Sequence, residues 1–100
     1  FHSAGGLIIG KNVGIGPGVK IITSQHEETA SGPILHAPIK LARVTIEDDC
    51  DLGTGAIILP GVRIGKGSLV GAGAVVTKDL PPFSVAMGVP ARMRRQRGKE

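Results

Sequence analysis

Aliphatic residues recur every six positions along most of this chain. From Ile46 to Val76 every sixth residue is aliphatic, and the residue four positions after each one is small or medium-sized. The same spacing occurs earlier, at Ile9, Ile15 and Ile21. The aliphatic series is Ile46, Leu52, Ile58, Ile64, Val70 and Val76, and the smaller series is Cys50, Ala56, Val62, Ser68, Ala74 and Leu80.

A period of six fits neither an amphipathic α-helix, with apolar residues three and four apart, nor a half-buried strand, which alternates every two residues. It predicts a short strand followed by a tight corner, with the aliphatic side chain inside and the smaller residue filling the corner. Three such strands make one coil, and coils stack at about 4.8 Å, the spacing of neighbouring strands. The pattern therefore predicts an all-β fold, a parallel β-helix, in a single domain over residues 1–100.

The composition agrees with a narrow and regular interior. Hydrophobic residues make up 41% of the chain, yet it has two Phe, no Trp and no Tyr, alongside 16 Gly. Compact cores normally use aromatic residues, because each one buries a large area. Glycine suits tight corners because it accepts backbone angles that other residues avoid.

One segment interrupts the six-residue frame in the middle of the chain. Ile21 and Ile46 are twenty-five residues apart, one more than four repeats. The intervening residues are polar and marked by Gly and Pro, as expected of a loop. We therefore predict an excursion loop over residues 22–40, and long loops in compact domains are usually functional or disordered.

The frame also ends at the C-terminus. Pro81-Pro82 cannot continue a ladder of strand hydrogen bonds, so residues 81–100 are predicted to form a loop and a short helical cap from Ala91. Such a cap would cover the open end of the solenoid. Because the chain starts at Phe1 rather than Met, we expect N-terminal sequence to be missing.

The formal charge of +4 is concentrated at the same end. Two interpretations are open, a solvated tail and a site for phosphates or another polyanion. Nucleic acid is not expected as a partner, because the chain has no aromatic stacking platform or recognised nucleic-acid motif. Five of the last nine residues are basic: Arg92, Arg94, Arg95, Arg97 and Lys99.

Cysteine content and hydropathy bear on location. Cys50 is the single cysteine and cannot form an intramolecular disulfide, which fits a reducing compartment. No apolar run approaches transmembrane length. We expect a cytoplasmic protein without membrane insertion.

Three segments resemble the hexapeptide-repeat acyltransferases, and within them the maltose and galactoside O-acetyltransferase group. They are TSQHE, IEDDCDLGTGAIILPGVRIG, and VGAGAVVTKDLPP followed by GVPAR. The resemblance implies a left-handed β-helix, acetyl-CoA as co-substrate and a sugar or sugar-containing acceptor. It also implies a homotrimer with active sites between subunits, and no metal.

The resemblance also implies roles for individual residues. His26 corresponds to the general base, and a neutral histidine can accept a proton near pH 7; the alternative is a surface loop histidine. The backbone N–H of Thr54 falls where the family contacts the thioester region. Ordinary packing within the six-residue repeat is an equally good account of Ala72 and Thr77, and Lys78 could simply be solvated. The positions matching coenzyme contacts are Thr54, Ala72, Thr77, Lys78, Arg92 and Arg95, of which the two arginines match phosphate contacts.

The remaining histidines and acids stay open at this stage. His36 either lines the acceptor pocket or decorates the loop, and His2 is assigned no role. We interpret Cys50 as a core residue. The acidic run that starts at Glu47 is a solvated corner or part of an acceptor site.

Three other functions compete with O-acetylation. An N-acyltransferase acting on an aminosugar nucleotide would use the same coenzyme groove. A zinc lyase like the carbonic anhydrases of this fold would need three convergent histidines. A non-catalytic solenoid scaffold would bind no coenzyme A.

Overall fold

The computed structural model describes residues 6–26 and 39–97, which form strands joined by tight corners. The described residues contain no helix, and so none that could cross a membrane. Their strands are β1 (Leu7–Ile9), β2 (Gly14–Ile15), β3 (Lys20–Ile21), β4 (Ser24–His26), β5 (Ile39–Leu41), β6 (Val44–Ile46), β7 (Asp51–Leu52), β8 (Ile57–Ile58), β9 (Arg63–Ile64), β10 (Leu69–Val70), β11 (Val75–Val76), β12 (Ser84–Met87) and β13 (Arg92–Gln96).

The strands stack into three faces of a prism. The first face holds β1, β6 and β9, the second holds β2, β7, β10, β12 and β13, and the third holds β3, β8 and β11. Pairing between successive coils is parallel, with Ile46 opposite Ile64 and Leu52 opposite Val70. Each of these pairs is eighteen residues apart, which is three repeats of six. The predicted parallel β-helix is confirmed.

The aliphatic series forms the core. Ile46, Leu52, Ile58 and Ile64 are all fully buried, and each such side chain contributes about 1.5–3 kcal/mol relative to exposure. The smaller series is buried beside them, with Cys50 placed in the core as predicted. The sequence period thus defines the interior of the prism.

The frame shortens by two residues after β11. Leu80 pairs with Ile64 sixteen residues earlier, and Ala86 likewise pairs with Val70. Leu80 therefore occupies an aliphatic position of a new coil, and its assignment to the smaller series was wrong. The reason is that Leu80 follows Val76 by four positions, whereas successive aliphatic positions are elsewhere six apart.

The excursion begins and ends as strands. β4 and β5 pair antiparallel, with Ser24 opposite Leu41 and His26 opposite Ile39, and the Ala42 N–H donates to the Thr23 carbonyl at 2.9 Å. The predicted loop over 22–40 is thus a two-stranded stem with residues 27–38 beyond it, and those lie outside the described residues.

The predicted C-terminal helix is wrong. β12 continues the second face, and β13 folds back antiparallel onto β12. The physical reason is that β12 presents an unpaired edge of N–H and C=O groups, and a following strand satisfies it while a helix would not. Arg97 fixes the end of this hairpin, because its N–H donates to the Phe83 carbonyl and its Nη1 to the Gly67 carbonyl, both at 2.6 Å.

Candidate active site

The three faces meet at three edges. The first edge, between the first and second faces, carries Lys11, Asp48 and Lys66. The second edge, between the second and third faces, carries Pro17, Thr54 and Ala72. The third edge, between the third and first faces, carries Thr23, Pro60 and Lys78.

Thr54 and Ala72 are neighbours on the second edge, one coil apart. Glycine makes this close stacking possible, since a Cβ added to Gly53 would lie 2.6 Å from the Ala72 nitrogen. The Gly73 N–H donates to the Thr54 carbonyl at 2.8 Å and so fixes the spacing of the two corners. Thr54 and Ala72 are both exposed, so their backbones line the outside of the prism.

The second edge presents two open backbone donors. Within residues 6–26 and 39–97, neither the Thr54 N–H nor the Ala72 N–H has a hydrogen-bond acceptor. The first edge differs, because there Asp48 Oδ1 accepts from the Lys11 N–H at 2.8 Å and Glu47 Oε1 accepts from the Lys66 N–H at 3.0 Å. Carboxylates thus cap the Lys11 and Lys66 N–H groups at the first edge, while the Thr54 and Ala72 N–H groups at the second edge remain available for a ligand.

The acidic run thus has a structural role at the first edge. Glu47 also accepts hydrogen bonds from the Arg63 guanidinium, with which it forms an ion pair. The Arg63 side chain, followed by the Lys66 N–H, lowers the pKa of Glu47 below its ordinary value. Sequence reasoning missed this capping role, although each cap stands next to a corner and could have been sought there.

Thr77 and Lys78 lie on a different edge from Thr54. They directly follow β11, at the third edge, and both are exposed. The width of the third face separates them from Thr54 and Ala72. The predicted coenzyme contacts are therefore divided between two edges of the chain.

His26 belongs with the third edge. The β4–β5 stem leaves the prism after β3, and its closing residue Ala42 stacks against Gly61, whose added Cβ would lie 3.5 Å from the Ala42 Cβ. His26 is the last residue of β4, and the structure describes its backbone. Within one chain, the stem that carries His26 and the donor of Thr54 rise from different edges.

The arginines lie on β13. Arg92 is opposite Met87, beside the second edge, and Arg95 is opposite Val85, further along the second face. The turn before Arg92 covers β11, because the Val75 N–H donates to the Gly88 carbonyl at 3.0 Å and the Ala91 N–H donates to the Val75 carbonyl at 2.8 Å. The chain thus returns close to the second edge before β13 starts.

The geometry can be compared with known proteins. The family model described as a hexapeptide repeat of succinyl-transferase matches residues 43–78. The galactoside O-acetyltransferase of Lactococcus lactis is 42% identical, and the match covers 90% of this chain and 43% of that protein. A galactoside acetyltransferase solved in complex with coenzyme A superposes with a TM-score of 0.85 at 37% identity, covering 91% of this chain and 45% of the other. The chain is similar to this family over residues 43–78 and to these acetyltransferases over about nine-tenths of its own length.

A nitrogen-acylating relative matches nearly as well. The 2,3,4,5-tetrahydropyridine-2,6-dicarboxylate N-acetyltransferase of Staphylococcus aureus is 40% identical over 87% of this chain and 32% of its own length. This chain thus spans less than half the length of these curated relatives. Its fold is a left-handed parallel β-helix, which it shares with the solved acetyltransferases that it resembles.

The described residues of this chain form no metal site. There, no three His, Cys, Asp or Glu side chains are grouped as ligands. His2 and His36 lie outside the described residues, so the zinc alternative depends on a part of the chain that the structure does not describe.

Proposed function

We propose that this protein is a coenzyme A-dependent acetyltransferase that moves an acetyl group from acetyl-CoA to a hydroxyl of a sugar or sugar-containing acceptor. The observation that carries the proposal is the second edge, where the Thr54 and Ala72 N–H groups stand open one coil apart. Two amide donors in line suit an extended ligand that carries carbonyl groups along its length. The pantetheine arm of coenzyme A is such a ligand, and cations lie at the β13 end of the same edge.

The proposed mechanism needs few groups. Neutral His26 accepts the proton of the acceptor hydroxyl as its oxygen attacks the thioester carbonyl carbon. The tetrahedral oxyanion accepts a hydrogen bond from the Thr54 N–H, a preorganised donor. As the C–S bond breaks, the sulfur of coenzyme A leaves and takes the proton from the His26 imidazolium, so that neither a metal nor a covalent enzyme intermediate is required.

We propose further that the active unit is a homotrimer with sites between subunits. The support is the division of the predicted residues, because the His26 stem and the Thr54 donor rise from different edges of one chain. Two chains placed side by side would bring the third edge of one to the second edge of the next. In that arrangement Thr77 and Lys78 would reach a coenzyme held mainly by the neighbouring chain. Light scattering of the purified protein tests the trimer.

A proline substitution tests the donor without removing a side chain that the mechanism uses. Thr54→Pro deletes the N–H, and Pro17 already occupies the equivalent corner one coil earlier, so the backbone angle is acceptable there. Thr54→Ala keeps the N–H and is the matched control. We expect Thr54→Pro to lower turnover about 100-fold, the effect of losing one oxyanion donor, and Thr54→Ala to leave it nearly unchanged.

The first measurement is calorimetric titration of acetyl-CoA into the oligomer, followed by transfer assays with a panel of sugar acceptors. Binding with transfer supports the proposal, and His26→Ala should retain binding while losing turnover. A folded protein that binds no acetyl-CoA would overturn it. Equal turnover of Thr54→Pro and Thr54→Ala would remove Thr54 from the mechanism.

N-acylation of an aminosugar nucleotide is the second candidate. The observation that favours it is the 40% identity to an N-acetyltransferase over most of this chain. An acceptor panel that pairs each hydroxyl sugar with its amino counterpart separates the two, since a site made for one acceptor leaves buried polar groups unpaired with the other.

We propose the cytoplasm as the location, because acetyl-CoA is an intracellular metabolite and Cys50 is a free, buried thiol. Cell fractionation with an antibody against the protein tests this. Recovery in an extracytoplasmic fraction would contradict it.

A further inference from the structure

Strand β13 contains one residue more than the strand it pairs with. Val85 and Ala86 are consecutive on β12, but they lie opposite Arg95 and Met93. Arg94 therefore has no opposite residue and is the extra residue of a β-bulge. Bulges are frequent next to active sites, where they re-aim a side chain.

The bulge sends the Arg94 side chain back over the turn that precedes β13. Arg94 Nη2 lies 3.5 Å from the position that a Cβ would take on Gly88. Gly88 has a φ of +102°, a conformation that favours glycine, and because glycine has no Cβ it leaves room beneath the guanidinium.

Gly88 lies at the end of the second edge. A Cβ on Gly71 would lie 3.0 Å from the Met87 Cβ, and the Gly71 N–H donates to the Ala86 carbonyl at 2.8 Å. Gly71 and Met87 are thus stacked, as are the residues that follow them, Ala72 and Gly88. The Arg94 guanidinium consequently lies at the Gly88 end of the second edge, beyond Ala72.

The Arg94 guanidinium has unused donors. It is exposed and, within the described part of the chain, makes no hydrogen bond or ion pair. Arg97 differs, because it already donates to the Gly67 carbonyl. The C-terminal segment carries the net positive charge of the chain. Residues 80–100 hold five basic residues and one acidic residue, whereas residues 1–79 hold seven of each.

We propose that Arg94 binds a phosphate group at the nucleotide end of the coenzyme and that the β13 bulge aims it there. This inference rests on the proposed function. An arginine suits the task because its planar fork donates two hydrogen bonds to one phosphate. The thioester end of the ligand would lie at Thr54, and its charged end would lie beyond Ala72, two coil levels or about 10 Å further along the prism.

Titration calorimetry with coenzyme A and with dephospho-coenzyme A, which lacks the 3′-phosphate, tests the proposal. The proteins compared are the unmodified chain, Arg94→Gln and Lys66→Gln. Lys66→Gln removes another exposed cation, from the first edge, and controls for the loss of one charge. We expect Arg94→Gln to weaken coenzyme A binding at least about fivefold and Lys66→Gln to change it less than about twofold. Thermal unfolding of each variant verifies that the fold is retained.

Each result has a defined meaning. If Arg94→Gln weakens coenzyme A but not dephospho-coenzyme A, Arg94 binds the 3′-phosphate; if it weakens both equally, Arg94 binds the diphosphate. If Arg94→Gln binds coenzyme A as tightly as the unmodified chain, the assignment of Arg94 is overturned while the proposed function stands. If the unmodified folded protein binds neither ligand, the proposed function fails and this inference fails with it.

Discussion

Gly53 is the position where a single methyl group should disturb both the stacking of coils and the candidate site. A Cβ at this position would lie 2.6 Å from the Ala72 nitrogen and 2.9 Å from both the Gly71 carbonyl carbon and the Val70 carbonyl oxygen. All three are backbone atoms, so no side-chain rotation can relieve the clash. Gly53→Ala must instead push two coils apart.

The cost can be estimated from two contributions. Overpacking of a fixed environment costs about 1–3 kcal/mol. Separating the coils also weakens the hydrogen bond from the Gly53 N–H to the Val70 carbonyl, now 2.8 Å, which contributes about 0.5–1.5 kcal/mol. We therefore expect Gly53→Ala to destabilise the protein by about 2–4 kcal/mol, which lowers Tm by about 10 °C or more for a domain of this size.

Gly55→Ala is the matched control. Gly55 has a φ of +72°, but its added Cβ would meet nothing within 4 Å. That substitution should cost only the left-handed backbone strain of about 1–2 kcal/mol. Thermal unfolding by circular dichroism at equal protein concentration compares the two variants, since assembly makes Tm depend on concentration. Equal stability of Gly53→Ala and Gly55→Ala would refute the argument that backbone contact between coils requires Gly53.

The remaining predictions concern a carboxylate, a thiol and an aromatic ring. Hydrogen bonds from Arg63 and a backbone N–H lower the pKa of Glu47 below 4.5. Glu47→Gln should therefore lower the Tm at pH 7, and the difference in Tm from the unmodified chain should vanish as pH falls through the folded-state pKa. A pH-independent difference in Tm would contradict this. Burial raises the pKa of the Cys50 thiol above 9.0. The thiol should therefore resist a thiol reagent at pH 8 until the protein is unfolded, and the free energy of unfolding should fall as pH rises through 9. Rapid labelling of the native protein would disprove the burial. A Cβ on Gly67 would lie 2.5 Å from the Phe83 ring. Gly67→Ala should therefore destabilise the protein less in a Phe83→Ala background, by about 1 kcal/mol in a double-mutant cycle of thermal melts. Additive destabilisation by the two substitutions would count against this contact.

The interior of the prism could be predicted because a repeat is a one-dimensional pattern. Ile46 and Ile64 are buried and paired because each occupies the same place in a six-residue frame, and three repeats complete one coil. The environment of such a residue depends on its own repeat and on those directly above and below. Ile9 and Ile15 follow the same frame but stay 37% exposed, because they belong to the first described coil, at the end of the stack.

The candidate site could be predicted only in part. Resemblance selected Thr54 and Ala72, and the structure places them together with open donors. It does not place Thr77 on that edge, because which corner a residue occupies depends on the stacking of complete coils. The change of frame before Leu80 is likewise invisible to a period of six.

The C-terminal strand was decided by tertiary structure. Arg, Met and Gln are all good helix formers, so nothing local in residues 92–96 indicates a strand, and the helix expected from Ala91 followed from that local view. Pairing with the open edge of β12 outweighs the local preference for a helix, because strand pairing stabilises this segment more than a short exposed helix would. The sequence by itself determined the period, the core and the excursion, whereas the stacked coils decided which residues share an edge and where Arg94 points, since those depend on partners distant along the chain.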